Sequence, residues 1–218
     1  MIGEIPLVTF IPYADDRNFG RACNECMAML PGNGWGAILD HDAVFTTPEW
    51  HRQLTRAIAL HPNGCFTAYS NRSRHPYKAP GVSIDGDDMA YHRGVGEKML
   101  ANEAIRDVTD ERGPNGMLTV LSKQAWKDAG GFAEGLHYVD RIMWKSLKMA
   151  GYRIYLVEGL YLYHWHRGGL TTIPIQEGPI ASRHTLADGR TFQLLDPKTG
   201  LPPASYCSAN THYGQKKA

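Results

Sequence analysis

The chain has 218 residues, 43% hydrophobic and 21% charged, with a formal net charge of +1. That length fits one α/β domain, or one domain with an appendage, and is enough to bury a large core. A net charge so near zero gives no support to a surface that tracks nucleic acid or anionic lipid by bulk electrostatics.

In chain order, Ile5 to Pro12 is a short β-branched apolar run ended by proline, and reads as a buried central strand. Asp15 and Asp16 open a polar turn, and Asn18 caps a helix expected to run to about Leu30. Pro31-Gly32-Asn33-Gly34 breaks it. Trp35 to Leu39 is a second apolar strand that runs straight into Asp40-His41-Asp42. Thr47 as cap and Pro48 at the first position start another helix, whose apolar face is Trp50, Leu54, Ala57 and Ile58.

Cys65 to Tyr69 gives a third strand, and Asn71 to about Gly96 reads as a long functional loop without sustained period. Met117 to Leu121 is a fourth strand, and Ser122 caps a short helix ending at Gly130-Gly131. Tyr138 to Ala150 is an amphipathic helix closed by Gly151, followed by strands over Arg153 to Val157 and Leu160 to His164. The polar, proline-bearing stretch 169–218 reads as an extended arm beyond a domain spanning 1–168. Alternating strands and helices imply an α/β domain with a mostly parallel sheet flanked by helices.

The first residues lack a basic leader and a cleavage site, and no run reaches the ~20 apolar residues that span a bilayer. With Cys23, Cys26, Cys65 and Cys207 not forming a spaced framework, reduced thiols and a cytoplasmic location are expected. Cys23-x-x-Cys26 lacks a second ligand pair for zinc and reads as helix packing. Asp85-Gly86-Asp87-Asp88 lacks the spacing of a calcium loop and reads as a solvated turn, with a mobile lid as the alternative. Arg72, Arg74 and His75 form a local basic patch, which is either simply solvated or a site for phosphate or another anionic group.

Ligands of open α/β sheets collect at the carboxyl ends of strands. Asp40 and Asp42, one residue apart at such an end, are costly to crowd unless a hard cation sits between them. His164 and His166 alternate on a strand and would share one face. Trp126, Trp144 and Trp165 could stack on a ring-shaped ligand, although tryptophan is more often core or rim.

Gly130-Gly131-Phe132-Ala133-Glu134, Asp140, Gly151-Tyr152 and His164 follow one another in an order and spacing that resembles the family 2 glycosyltransferases, enzymes of the GT-A fold. The resemblance spans roughly Ile5 to Arg167. It implies transfer of a sugar from a nucleotide-diphosphate sugar, of UDP or GDP, to an acceptor hydroxyl with inversion. It also implies Mn2+ or Mg2+ held by Asp40, Asp42 and His164, with His166 as an alternative ligand. Asp140 would be the general base. Pro12, Tyr13, Asp15, Asp16, Arg21, Asn24 and His41 would line the nucleotide-sugar site, and Gly130, Gly131, Phe132 and Trp126 would face donor or acceptor sugar. The acceptor is left open; a nucleic-acid acceptor finds no support in the charge.

Three departures stand out. Val139 replaces the glutamate of the family's Glu-Asp pair, and Ile142 and Ser146 stand where many members have Asp and Arg. The N-terminal half lacks a strand that usually ends in acidic residues. Two other readings stay open: a homologue that binds without turnover, and a nucleotidyltransferase, which would need a lysine-bearing glycine loop where this chain has only Gly20.

Overall fold

The computed structural model describes residues 5–73, 76–83, 86–111, 113–114, 116–165, 182–195 and 202. Their elements are β1 (Leu7–Phe10), α1 (Phe19–Ala28), β2 (Trp35–Leu39), β3 (Ala43–Phe45), α2 (Trp50–Leu60), β4 (Gly64–Ser70) and α3 (Met89–Met99). There follow β5 (Ile105–Asp107), β6 (Leu118–Ser122), α4 (Lys123–Asp128), α5 (Val139–Met149), β7 (Arg153–His164), β8 (Arg183–Thr185) and β9 (Thr191–Gln193).

Seven strands form one sheet in the order β1-β2-β6-β4-β7-β3, with β5 also on β7. The α/β class holds, but the sheet is mixed rather than mostly parallel. β1 with β2 and β4 with β7 are parallel, whereas the other four pairings are antiparallel. The reversal comes from β6, which enters the sheet beside the end of β2 and runs back between β2 and β4. β1 lies at an edge and is half-buried, not central. The two strands expected over 153–164 are one strand, with a register shift opposite Ala68 and Tyr69 where the break was expected. Its outer edge is divided: β5 covers Tyr155 to Val157, and β3 covers Leu162 to His164.

The core is built by the expected periodicities. Leu54, Ala57 and Ile58 of α2 and Ile142, Met143 and Leu147 of α5 are buried with Phe66, Leu118 and Val120 of the central strands. Each large side chain so buried contributes roughly 1.5–3 kcal/mol. α2 starts at Trp50, later than its threonine-proline signal. Packing claims the threonines instead: Thr46 Oγ1 donates to the Tyr161 carbonyl at 2.8 Å, and Thr47 is buried. The long loop expected after Asn71 contains α3, capped by Asp88, whose carboxylate accepts from the Ala90 N–H at 2.8 Å. Its glycines and single buried ring, His92, hide it from an apolar-period search.

Within the expected arm, 182–195 forms the β8–β9 hairpin, which closes the C-terminal ends of α4 and α5. His184 Nε2 donates to the Ala129 carbonyl at 2.7 Å, and Arg190 Nη2 donates to the Met149 carbonyl at 2.8 Å. Carbonyls left without helical partners are thus satisfied. Most of the remainder of 169–218 lies outside the described residues. No helix among the described residues is long and apolar enough to cross a membrane.

Candidate metal and acid–base site

β2, β4 and β7 point the same way, so Asp40, Asn71 and His164 come to one sheet edge. β6 starts there too, and the Asp40 N–H donates to the Met117 carbonyl at 3.0 Å. The 40–43 turn is then stitched to the end of β7. Ala43 pairs with His164, and the Trp165 N–H donates to the Asp42 carbonyl at 2.9 Å. Antiparallel pairing of so short a strand as β3 has one consequence of note: it forces the acidic turn against His164.

His164 Nε2 lies 3.1 Å from Asp42 Oδ1 and 4.0 Å from Asp40 Oδ2. Candidate ligand atoms of Asp40, His41 and Asp42 all lie within 4.8 Å of one another. Side-chain exposure falls from 73% at His41 and 33% at Asp40 to 15% at Asp42 and 9% at His164. The cluster is therefore open on one side and closed on the other. Burial opposes charge on the His164 ring, yet the bond to Asp42 and the charges of Asp42 and Asp40 outweigh it and raise its pKa. The His41 ring is likewise raised by its bond to Asp40 at 3.1 Å. Two carboxylates and an imidazole crowded in this way suit a divalent cation with oxygen and nitrogen ligands. His166, the alternative ligand, lies outside the described residues.

Asp140 stands in the first turn of α5, after Tyr138 in a left-handed conformation at φ 66°. A Cβ on Gly116 would sit 3.0 Å from the Asp140 Cβ. The Asp40 backbone bonds Met117 and the Asp140 side chain packs on Gly116, so the two residues meet adjacent positions at the start of β6. Desolvation is the largest influence on Asp140 and raises its pKa. The Arg141 N–H and charge and the Gly116 N–H pull it down, and Asp40 adds to the rise. Val139, Ile142 and Ser146, the family departures on this helix, are all interior, and Ser146 Oγ donates to the Ile142 carbonyl at 2.8 Å.

The nucleotide candidates lie around the start of α1. Pro12 is buried, and Tyr13 and Asp15 are exposed. Arg21 bridges Asp16 at 2.9 Å and Glu25 at 2.7 Å. The Asn18 N–H, and then Arg21, hold the Asp16 carboxyl below its usual range. Asn24 ties α1 to the glycine turn: its Oδ1 accepts from Trp126 Nε1 at 2.9 Å and the Phe132 N–H at 2.7 Å, and its Nδ2 donates to the Phe132 carbonyl at 2.9 Å. Phe132 is buried beside it. The close approach that Gly130 permits is made by the chain itself, since a Cβ there would lie 2.1 Å from the Thr185 carbonyl oxygen. Gly131 faces Asn24 and Trp126.

Of the stacking candidates, Trp144 is buried, Trp126 is bonded to Asn24, and Trp165 is 45% exposed beside His164. Of the two cysteines expected to pack on α1, Cys23 is buried and Cys26 is partly buried against the core. Of the expected basic patch, Arg72 is turned inward, and Arg74 and His75 lie outside the described residues. Of the acidic run, Asp87 bonds Arg72 at 2.7 Å and Asp88 caps α3, so both serve the fold. Sequence reasoning missed Asn71 and Gly116-Met117 at this edge. Their only signal was position, at the end of one strand and the start of another. Among known proteins, no family model matches the chain and no curated protein matches its sequence.

Proposed function

We propose that this chain is a divalent-metal-dependent, inverting glycosyltransferase of the GT-A type, acting on a UDP- or GDP-sugar and an acceptor hydroxyl. One observation carries the reading. Asp40, Asp42 and His164 converge at a carboxyl edge of the sheet, and Asp140, a carboxyl whose pKa is raised by burial and by the charge of Asp40, packs on Gly116 at the start of β6.

Asp42 and His164, with Asp40, are the residues that would hold Mn2+ or Mg2+. When bound, the ion supplies Lewis-acid neutralisation of the diphosphate leaving group. Asp140 takes the proton of the acceptor hydroxyl while that oxygen bonds to the anomeric carbon and the bond to the diphosphate breaks. Its raised pKa favours the proton transfer, because a more basic carboxylate is the better acceptor. His41 and Trp165 are exposed at this edge, where sugar and diphosphate would approach.

A second reading, binding without turnover, is favoured by Val139 standing in place of a glutamate. Release of nucleoside diphosphate from UDP- and GDP-sugars, with Mn2+ and a panel of glycan acceptors, separates the two. The transferase reading expects release by the wild type and a loss of about 10²–10⁴-fold in Asp140→Asn with donor binding retained. Equal rates in Asp140→Asn would contradict the base assignment. Donor binding with no release by the wild type would select the second reading.

A further inference from the structure

We propose that Arg72 is a positioning residue for His164, locking the exit of β7 and tethering it to the segment before α3. The inference rests on the metal reading above.

An arginine just past a strand end is ordinarily solvated, and burying a guanidinium is costly unless its donors are matched. Arg72 has a side chain only 6% exposed, and its donors are directed inward. Nη1 donates to the His164 carbonyl at 2.8 Å and to the Trp165 carbonyl at 3.1 Å. Nη2 donates to Asp87 Oδ1 at 2.7 Å and points to the Gly86 carbonyl at 3.4 Å. The Tyr163 ring lies 5.6 Å from its guanidinium carbon, and the Tyr163 hydroxyl donates to the same Asp87 oxygen at 2.7 Å.

The neighbouring residue completes the arrangement. Pairing of β4 with β7 ends at Ser70 and Leu162, two residues before His164. Beyond that point side chains take over from the backbone ladder. Buried Asn71 accepts the His164 N–H through Oδ1 at 2.8 Å, and Arg72 takes the His164 carbonyl. His164 Nδ1 faces the Arg72 carbonyl at 3.4 Å, which directs Nε2 toward Asp42. A ring nitrogen turned to a backbone carbonyl is the usual way in which a ligating histidine is oriented. The far end of the tether is fixed as well: His92 of α3 donates through Nε2 to the Gly86 carbonyl at 3.0 Å and bonds the Tyr161 hydroxyl through Nδ1 at 2.7 Å.

Lysine keeps the charge of Arg72 but lacks the planar fork that reaches two carbonyls and a carboxylate together. Mn2+ alone, titrated into the full chain and followed by the EPR signal of the free ion, tests the inference without turnover. Arg72→Lys should raise the Mn2+ Kd by about 10–100-fold. Ile58→Ala, a core truncation on α2, should lower Tm and leave that Kd unchanged. If Arg72→Lys does not fold, Asp87→Asn, which weakens one arm of the tether, should raise the Kd in the same direction. Wild-type affinity in whichever of these folds, or an equal loss of affinity in Ile58→Ala, would overturn the positioning role alone. A wild type that binds no Mn2+ would overturn the metal reading with it.

Discussion

Asp140 sits where its proposed chemistry and the stability of the fold oppose each other. The N-terminal turn of α5 favours its negative charge, but desolvation and the charge of Asp40 oppose ionisation, and its pKa is raised. A carboxyl with a folded pKa above its unfolded value holds its proton more tightly when folded. Its contribution to stability is therefore fully present below the unfolded pKa and is lost as pH rises through the folded one. Asp140→Asn should raise Tm near neutral pH, by roughly 2–4 °C for each kcal/mol of strain relieved. The gain should fade as pH drops toward the unfolded carboxyl value. Thermal melts of both proteins across that range check the sign; a gain that grew on acidification would contradict it. Asp40, Asp42, His164 and Asp140 were legible from strand ends and motif order. Asn71 and Arg72 were not, because their roles depend on where β4 stops pairing with β7, and no local pattern encodes that.

At the scale of elements, the glycine turn after α4 shows how a motif can be read correctly in position and differently in use. Gly130 has φ +80°, and the nearest atom to an added Cβ would be the Thr185 carbonyl oxygen at 2.1 Å. The hairpin β8–β9, which closes α4, needs that approach. Gly130→Ala adds a left-handed cost of about 1–2 kcal/mol to a backbone clash. Tm should fall by at least roughly 2–4 °C, and a melt with no shift would show that the hairpin is not docked there. Strands β2, β4 and β6 and helices α1, α4 and α5 could be read from apolar period and caps. The three-residue strands β3 and β5 could not, being too short to carry a period and defined only by the edge of β7 they cover. α3 escaped for a related reason: two glycines and a buried histidine stand where an apolar stripe would be sought.

Across the whole molecule, the α/β class followed from alternation of elements, but strand direction did not. Pattern reveals that Leu118 to Ser122 is a strand; only its antiparallel pairing with β2 shows that it enters from the edge where Asp40 lies. That reversed strand brings Met117 onto the Asp40 backbone and Gly116 against the Asp140 side chain, and so it shapes the site as the acidic motif does. In the proposed function a divalent cation and a nucleotide sugar bind together at this edge. Thermal shift with nucleoside diphosphates and their sugars, with and without Mn2+, in the wild type and Asp42→Ala, tests it most directly, since ligands that bind only the folded state raise Tm. One nucleotide should raise Tm only with Mn2+ present, and that shift should vanish in Asp42→Ala. A shift of equal size without the metal, or one that survives in Asp42→Ala, would contradict it.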